Sequence, residues 1–257
     1  MRLVQFDGSS IELMSVEDEA LLDRHAIDGF SFGRYIRDQL REREGISLLA
    51  LNSQDAEADA GIVTARGIRC QGTINFGRDV RLEDGRSDRT STTLTIFVDP
   101  QLPRLGNFAV HQHRPDLIFR PSWIVHPNGA FGIHQVTIMA ERVQWQIVRQ
   151  RLAGLYGQDA LFDTPDGFGV KTGNGCFVVL DKAAVARRYA PLPPELSVEE
   201  QPSCVAIHIT VRDTGRVLSF IESAGVEFTT AESRLWLREA APYGNVFLAF
   251  ESASSFA

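Results

Sequence analysis

The chain has 257 residues, is 44% hydrophobic and carries a formal charge of -7 spread along its length. That is enough apolar material for one large domain or two ordinary ones, and the acidic balance speaks against nucleic acid or an anionic membrane as the main partner. Its longest apolar runs, such as Ile46 to Leu51 and Cys176 to Leu180, fall far short of the roughly 20 residues of a membrane helix, and no basic-then-apolar leader opens it, so the expected location is cytoplasmic.

In chain order, Arg2 to Phe6, an Asp7-Gly8 turn and Ser10 to Val16 read as a hairpin. An acidic connector and a helix follow over Glu17 to Arg43, with Phe32, Ile36 and Leu40 forming an apolar stripe. From there a unit recurs three times: an apolar strand, an acid where a helix begins, an amphipathic helix, and a glycine followed by an aliphatic residue. The strands are Gly45 to Asp55, Gly132 to Glu141 and Cys204 to Asp213; the helices run 56–66, 142–153 and 214–224. Acid and closing glycine are 12 apart for Asp55 and Gly67, 13 for Glu141 and Gly154, and 12 for Asp213 and Gly225. The acid suits the positive end of the helix dipole, and glycine suits the left-handed turn that ends a helix. After each glycine come further strands, so each unit reads β-α-β-β-β. The opening hairpin looks like the last two strands of another unit without its first strand and helix.

The stretch from Gly106 to Val143 is chemically the richest, holding four of the six histidines and the prolines Pro115, Pro121 and Pro127. Cys70, Cys176 and Cys204 are widely separated, form no CxxC pair and read as reduced structural thiols. No phosphate-binding glycine loop, GxSxG elbow or HExxH run occurs.

Three segments carry a family likeness: Leu3-Val4-Gln5-Phe6 followed by Ile11-Glu12-Leu13, Phe119-Arg120-Pro121-Ser122-Trp123 with His126-Pro127-Asn128-Gly129-Ala130 and Gly132-Ile133, and the closing Asn245 to Glu251. On these the chain resembles the glyoxalase-like domain family of bacterial proteins within the vicinal-oxygen-chelate superfamily. The resemblance implies an α+β fold in which tandem β-α-β-β-β units pair into curved mixed sheets around a cavity. It implies a first half over 1–115, a Pro-rich connector over 116–127 and a second half over 128–257. Metal-dependent members hold a divalent ion on His or Gln from a unit's first strand and Glu or His from its last, where it acts as a Lewis acid.

Carried over residue by residue, the metal candidates are Glu12, His113, Gln135, His208 and Glu251. Leu48 and Ala206 stand where two further ligands would be, and His208 shares the strand face of Ala206. Glu12 and Glu251 are also the candidate proton acceptors; His111, Gln135, Trp236 and Arg238 are candidates for substrate contact. His111 and His113 share a face, whereas alternation puts His134 and Gln135 on opposite ones, which favours Gln135 for the cavity. His126 reads as a brace for the connector. The expected function is a metal-dependent lyase, isomerase or dioxygenase for a small polar metabolite, with a metal-free binding protein as the alternative. An open sheet edge would suit pairing with a second copy as a homodimer.

Overall fold

The computed structural model describes residues 2–24, 26–82, 84–231 and 234–253. Two compact units separate: one comprises Leu13–Glu42 and Ser47–Arg120, the other Arg2–Glu12, Arg43–Ile46 and the chain from Pro121 on. The hairpin of β1 (Arg2–Phe6) and β2 (Ser9–Leu13) is a two-stranded sheet of its own. The sequence suggests it as part of the first half, yet it clusters with the second unit. Phe6 is the reason: it is buried with Ile207, Ile209 and Phe250. His126 fastens the same hairpin, with Nε2 2.6 Å from the Gln5 carbonyl and its ring 5.1 Å from that of Phe6, which is the bracing role its place before Pro127 suggests.

The first unit opens with a ribbon of β3 (Ala26–Ile27) and β4 (Phe30–Ser31), then α1 (Phe32–Glu42), in which Ile36 of the expected stripe is buried. One β-α-β-β-β pattern follows: β5 (Leu48–Ser53), α2 (Ala56–Ala65), β6 (Gly72–Phe76), a side ribbon of β7 (Asp79–Arg81) and β8 (Ser87–Arg89), then β9 (Thr92–Phe97) and β10 (Gly106–Gln112). The sheet order is β5-β10-β9-β6, with β5 and β10 parallel. Asp55 caps α2 by accepting from Ala58 N at 3.0 Å, and Gly67, at φ +86°, turns the chain out of it.

The second unit contains two such patterns in one sheet. The first is β11 (Ala130–Met139), α3 (Trp145–Tyr156), β12 (Leu161–Thr164), β13 (Gly167–Lys171) and β14 (Cys176–Leu180). A crossover with α4 (Lys182–Arg188) and α5 (Pro194–Ser197) leads to β15 (Ser203–Val211), α6 (Thr214–Ser223), β16 (Phe228–Ala231), β17 (Arg234–Leu237) and β18 (Phe247–Ser252). The eight strands run β12-β13-β14-β11-β15-β18-β17-β16, with β11 and β15 antiparallel at the centre. Each pattern therefore contributes its opening strand to the middle of the sheet. One element departs from the sequence reading: Gly154 lies inside α3, and the left-handed residue that ends the helix is Gly157, at φ +95°. A 3-10 turn over Arg142–Gln144 precedes α3, so the acid-to-glycine distance from Glu141 to Gly157 is 16 here. No described helix is long and apolar enough to cross a membrane.

The two faces of this sheet have different coverings. Ile207, Ile209, Phe250, Leu235 and Leu237 pack with Val217 and Ile221 of α6. On the other side Ala206, Ala249, Trp236 and Phe247 pack with Ala184, Val185, Tyr189 and Leu196 of the crossover. Because strand side chains alternate, His208 and Glu251, two residues past Ala206 and Ala249, fall on the crossover's side.

At the centre of the sheet the β11–β15 register slips: Ile133 pairs with Ile209, but Gln135 pairs with His208, leaving His134 as the extra residue of a bulge. Gly175, just ahead of β14, makes room for it, since a Cβ there would fall 2.0 Å from the His134 carbonyl oxygen. Gly175→Ala should therefore cost about 1–3 kcal/mol and displace His134. Thermal melting and the histidine NMR signals of the variant would check both, and an unperturbed His134 signal would show that the bulge does not depend on this glycine.

Candidate functional site

The bulge has a chemical consequence. Without it His134 and Gln135 would point to opposite faces, as alternation predicts; with it both reach the same group of residues. His134 Nε2 is 3.3 Å from Glu251 Oε2, and Gln135 Nε2 is 3.1 Å from His208 Nε2. His208 is fully buried and Glu251 nearly so, while the His134 side chain keeps 14% of its surface open.

The hydrogen-bond directions follow from one fact: an ionised carboxylate only accepts. His208 Nδ1–H donates to Glu251 Oε1 at 2.5 Å. Nε2 of His208 then accepts, from the Tyr189 hydroxyl at 2.6 Å and from the Gln135 amide. Thr137 Oγ1 lies 2.6 Å from the Tyr189 oxygen and 3.1 Å from Gln135 Nε2, so it receives the second amide hydrogen and donates its own to the tyrosine. On the other side, His134 Nδ1 stands 3.3 Å from Thr210 Oγ1. Arg234, opposite Glu251 in the β17–β18 pairing, brings Nε to 2.5 Å from Glu251 Oε1, out of line for a hydrogen bond.

Burial pushes the His208 imidazole down to about 4, against the hydrogen bond and charge of Glu251. Burial alone would raise the Glu251 carboxyl, but hydrogen bonds from His134 and His208, together with the charge of Arg234, hold it well below the usual carboxylate range. Tyr189 is pushed up to about 12 by burial and stays a phenol. Its ring stacks on Phe247 with centroids 5.3 Å apart, and its carbonyl accepts from Trp236 Nε1.

Of the residues singled out from the sequence, Gln135, His208 and Glu251 come together. Trp236 is a core residue on the same face, held by that indole hydrogen bond, whereas Arg238 is exposed and pairs with Glu227 at 3.6 Å. Glu12 is exposed on β2 and is not in this cluster. His111 and His113 belong to the first unit, with rings 4.0 Å apart as their shared face requires. That face is the one carrying Thr93 and Thr95, and α2 covers it: Thr95 Oγ1 donates to the Ala56 carbonyl. His113 is exposed there and lies 2.8 Å from Thr93 Oγ1.

Sequence reasoning missed Tyr189, Thr137 and Arg234 and set His134 aside. Alternation hid His134, since no composition cue marks a bulge. Tyr189 sits in a crossover with no strand period, and the hydroxyl of Thr137 is unremarkable in an apolar strand. Arg234, two residues before Trp236 and on its face, is the arginine of this strand that reaches the cluster.

One donor atom from each of His134, His208 and Glu251 lies within 4.8 Å of the others. Two imidazoles and one carboxylate are a donor set that a divalent first-row metal accepts; Glu251 is ionised and His208 neutral near neutral pH, so an ion would take His208 Nδ1 once its proton moved to Nε2, where the Tyr189 oxygen would accept it. By that test the residues fit an ion.

Residues 1–155 match the family described as the glyoxalase-like domain. This stretch includes His134 and Gln135 and ends before His208 and Glu251. Among solved structures, a hypothetical protein from Staphylococcus aureus is similar at 14% identity and a TM-score of 0.65, over 97% of this chain and 83% of that one. A mutant of 4-hydroxymandelate synthase from Streptomyces coelicolor aligns at 14% identity and a TM-score of 0.44, over 86% of this chain and 73% of that one. Methylmalonyl-CoA epimerase from Mycobacterium tuberculosis aligns at 9% and 0.36, over 50% and 91%. No curated protein matches the chain. With the family's match covering more than half of its residues and the repeated β-α-β-β-β patterns in place, the chain belongs to the glyoxalase-like domain family.

Proposed function

We propose that the second unit is a small-molecule enzyme whose site holds a divalent ion on His134, His208 and Glu251, acting on a small polar metabolite as a lyase, isomerase or dioxygenase. The observation that carries this reading is the convergence of those three side chains on one partly buried cluster. When bound, the ion would supply Lewis acidity toward substrate oxygens. The chain's own residues do the rest: the bulge aims His134, and Gln135 and Tyr189 fix the His208 ring from its far nitrogen. Glu251, so strongly acidic, suits a ligand better than a proton acceptor. The covering residues from α4 keep water from the inner side.

A second reading, a metal-free binding protein, is favoured by one observation. Arg234 already lies against Glu251 and supplies the positive charge that the carboxylate needs.

Two measurements test these readings. In elemental analysis with a divalent-ion melting screen, the wild type should carry near-stoichiometric metal, and free ion at a hundred times its dissociation constant should add about 2.7 kcal/mol of stability. Glu251→Gln and His208→Ala should lose both effects, and Glu12→Ala should keep them. Neither metal nor shift in the wild type would sink the metal reading in favour of the binding protein.

The second is the pH dependence of stability. Between about pH 6.5 and 4 the unfolded chain protonates His208 while the folded one, with a value of about 4, does not. Stability should therefore fall as pH drops through that window, by on the order of 3 kcal/mol. Glu251, depressed in the folded state, adds a further loss below the ordinary carboxylate range. In His208→Gln the slope of melting temperature against pH over the upper window should flatten; an unchanged slope would mean that His208 is not held neutral.

A further inference from the structure

We propose that Arg234 makes this cluster selective for a carboxylate ligand. The inference rests on reading the cluster as a ligand site, and it holds with or without a metal. Arg234 extends from β17 directly opposite Glu251. Its Nε is buried, yet no described residue accepts a hydrogen bond from it: Oε1 of Glu251 is 2.5 Å away but out of line with the N–H. The guanidinium is thus held in place by charge while its planar fork of donors is left without a protein acceptor among the described residues.

A buried donor left in this way costs free energy. Removing it is what an incoming acceptor would gain. The side chain is also the more open part of the cluster, with 31% of its surface exposed, next to His134 at 14%, while His208 and Glu251 behind it are closed off. A ligand arriving from solvent therefore meets Arg234 and His134 first.

Donors and charge together set the class of that ligand. The ionised Glu251 and Arg234 cancel, so in the metal-free cluster it is the open donors of Arg234 that favour an acceptor; a bound divalent ion would raise the charge by two and favour an anion. Geometry narrows it further. Arginine matches the two oxygens of a carboxylate with parallel N–H bonds, and the site has already placed the guanidinium against one carboxylate, that of Glu251. An entering carboxylate takes the donors that Glu251 cannot reach in line.

The test uses the full chain after treatment with a chelator, in a buffer without carboxylates. Propionate and pyruvate, each against its amide, are titrated by calorimetry while the Arg234 Nε–H resonance is followed by NMR. The wild type should bind each acid at least tenfold more tightly than its amide, with the Arg234 resonance moving. Arg234→Leu should lose that preference, Arg234→Lys should keep a weaker one, and Glu251→Gln, which removes the internal competitor, should bind the acids more tightly. If Arg234→Leu fails to fold, the lysine variant and the wild-type resonance decide. Equal binding of acid and amide, an unmoved resonance, or full binding in Arg234→Leu would overturn the proposal. Tighter binding of inorganic phosphate than of either acid would overturn the carboxylate assignment. Metal binding with no acid preference would defeat this inference and spare the metal reading; the reverse result would do the opposite.

Discussion

The second unit depends on the buried carboxylate of Glu251. An ionised group placed there in isolation would be costly, and its surroundings are arranged to remove that cost. His208 gives it an in-line hydrogen bond, His134 approaches the second oxygen, and Arg234 supplies a full opposite charge. Each comes from a different strand: β15, β11 and β17, with Glu251 itself on β18. The carboxylate therefore ties the two β-α-β-β-β patterns together at the middle of the sheet. Burial, acting against this carboxylate, keeps His208 neutral, and the carboxylate fixes which tautomer it takes: the proton sits on Nδ1 and Nε2 is left as an acceptor for Tyr189 and Gln135.

Two departures from regular structure make this possible. The bulge at His134 lets consecutive residues of β11 serve the same cluster, one against Glu251 and the other against His208. A regular strand could have offered only one of them. The crossover between the two patterns does the second part. Rather than passing over the sheet as a bare connection, this crossover lays Val185 of α4, Tyr189 just past it and Leu196 of α5 on the sheet. The Tyr189 hydroxyl then satisfies the inner nitrogen of His208 and the hydroxyl of Thr137 together. Dryness around His208, the source of its lowered basicity, is a product of that segment.

Much of this architecture was legible in the sequence. The repeated strand, acidic cap and helix mark local rules that tertiary context rarely overrides, and Asp55 and Asp213 do cap α2 and α6 through their side chains. The glycine at the end of the second helix was misplaced. Gly154 is compatible with a helix interior, and what distinguishes Gly157 is a backbone angle that no residue pattern states. Among site residues, Glu251 was legible from the family resemblance, which implies a ligand in the closing strand, and His208 from sharing a strand face with Ala206. His134 was not, because the period of two on which face assignment rests fails at a bulge. Glu12 shows the opposite error: an acid flanked by apolar residues looks buried, but β2 is part of an isolated two-stranded sheet and leaves it exposed.

The first unit shows why the same pattern need not carry the same chemistry. Its sheet also has one face covered by the helix of the pattern, α2, through Thr95. The opposite face holds Leu94, Ile96, Phe108 and Val110, and it is filled by Phe30, Phe32 and Tyr35 from β4 and α1. Phe32 and Phe108 meet edge to face with centroids 5.4 Å apart, and Phe30 meets Phe32 in the same way. A polar side chain introduced there would lack acceptors, so this face serves as core. In the second unit the corresponding side of the sheet alternates Ala206 with His208 and Ala249 with Glu251. Small residues there leave room for the crossover to approach, and the polar ones meet each other across β15 and β18. Whether such a sheet builds a core or a polar cluster thus turns on a few inward positions per strand and on what covers them, while the order of the paired strands stays the same.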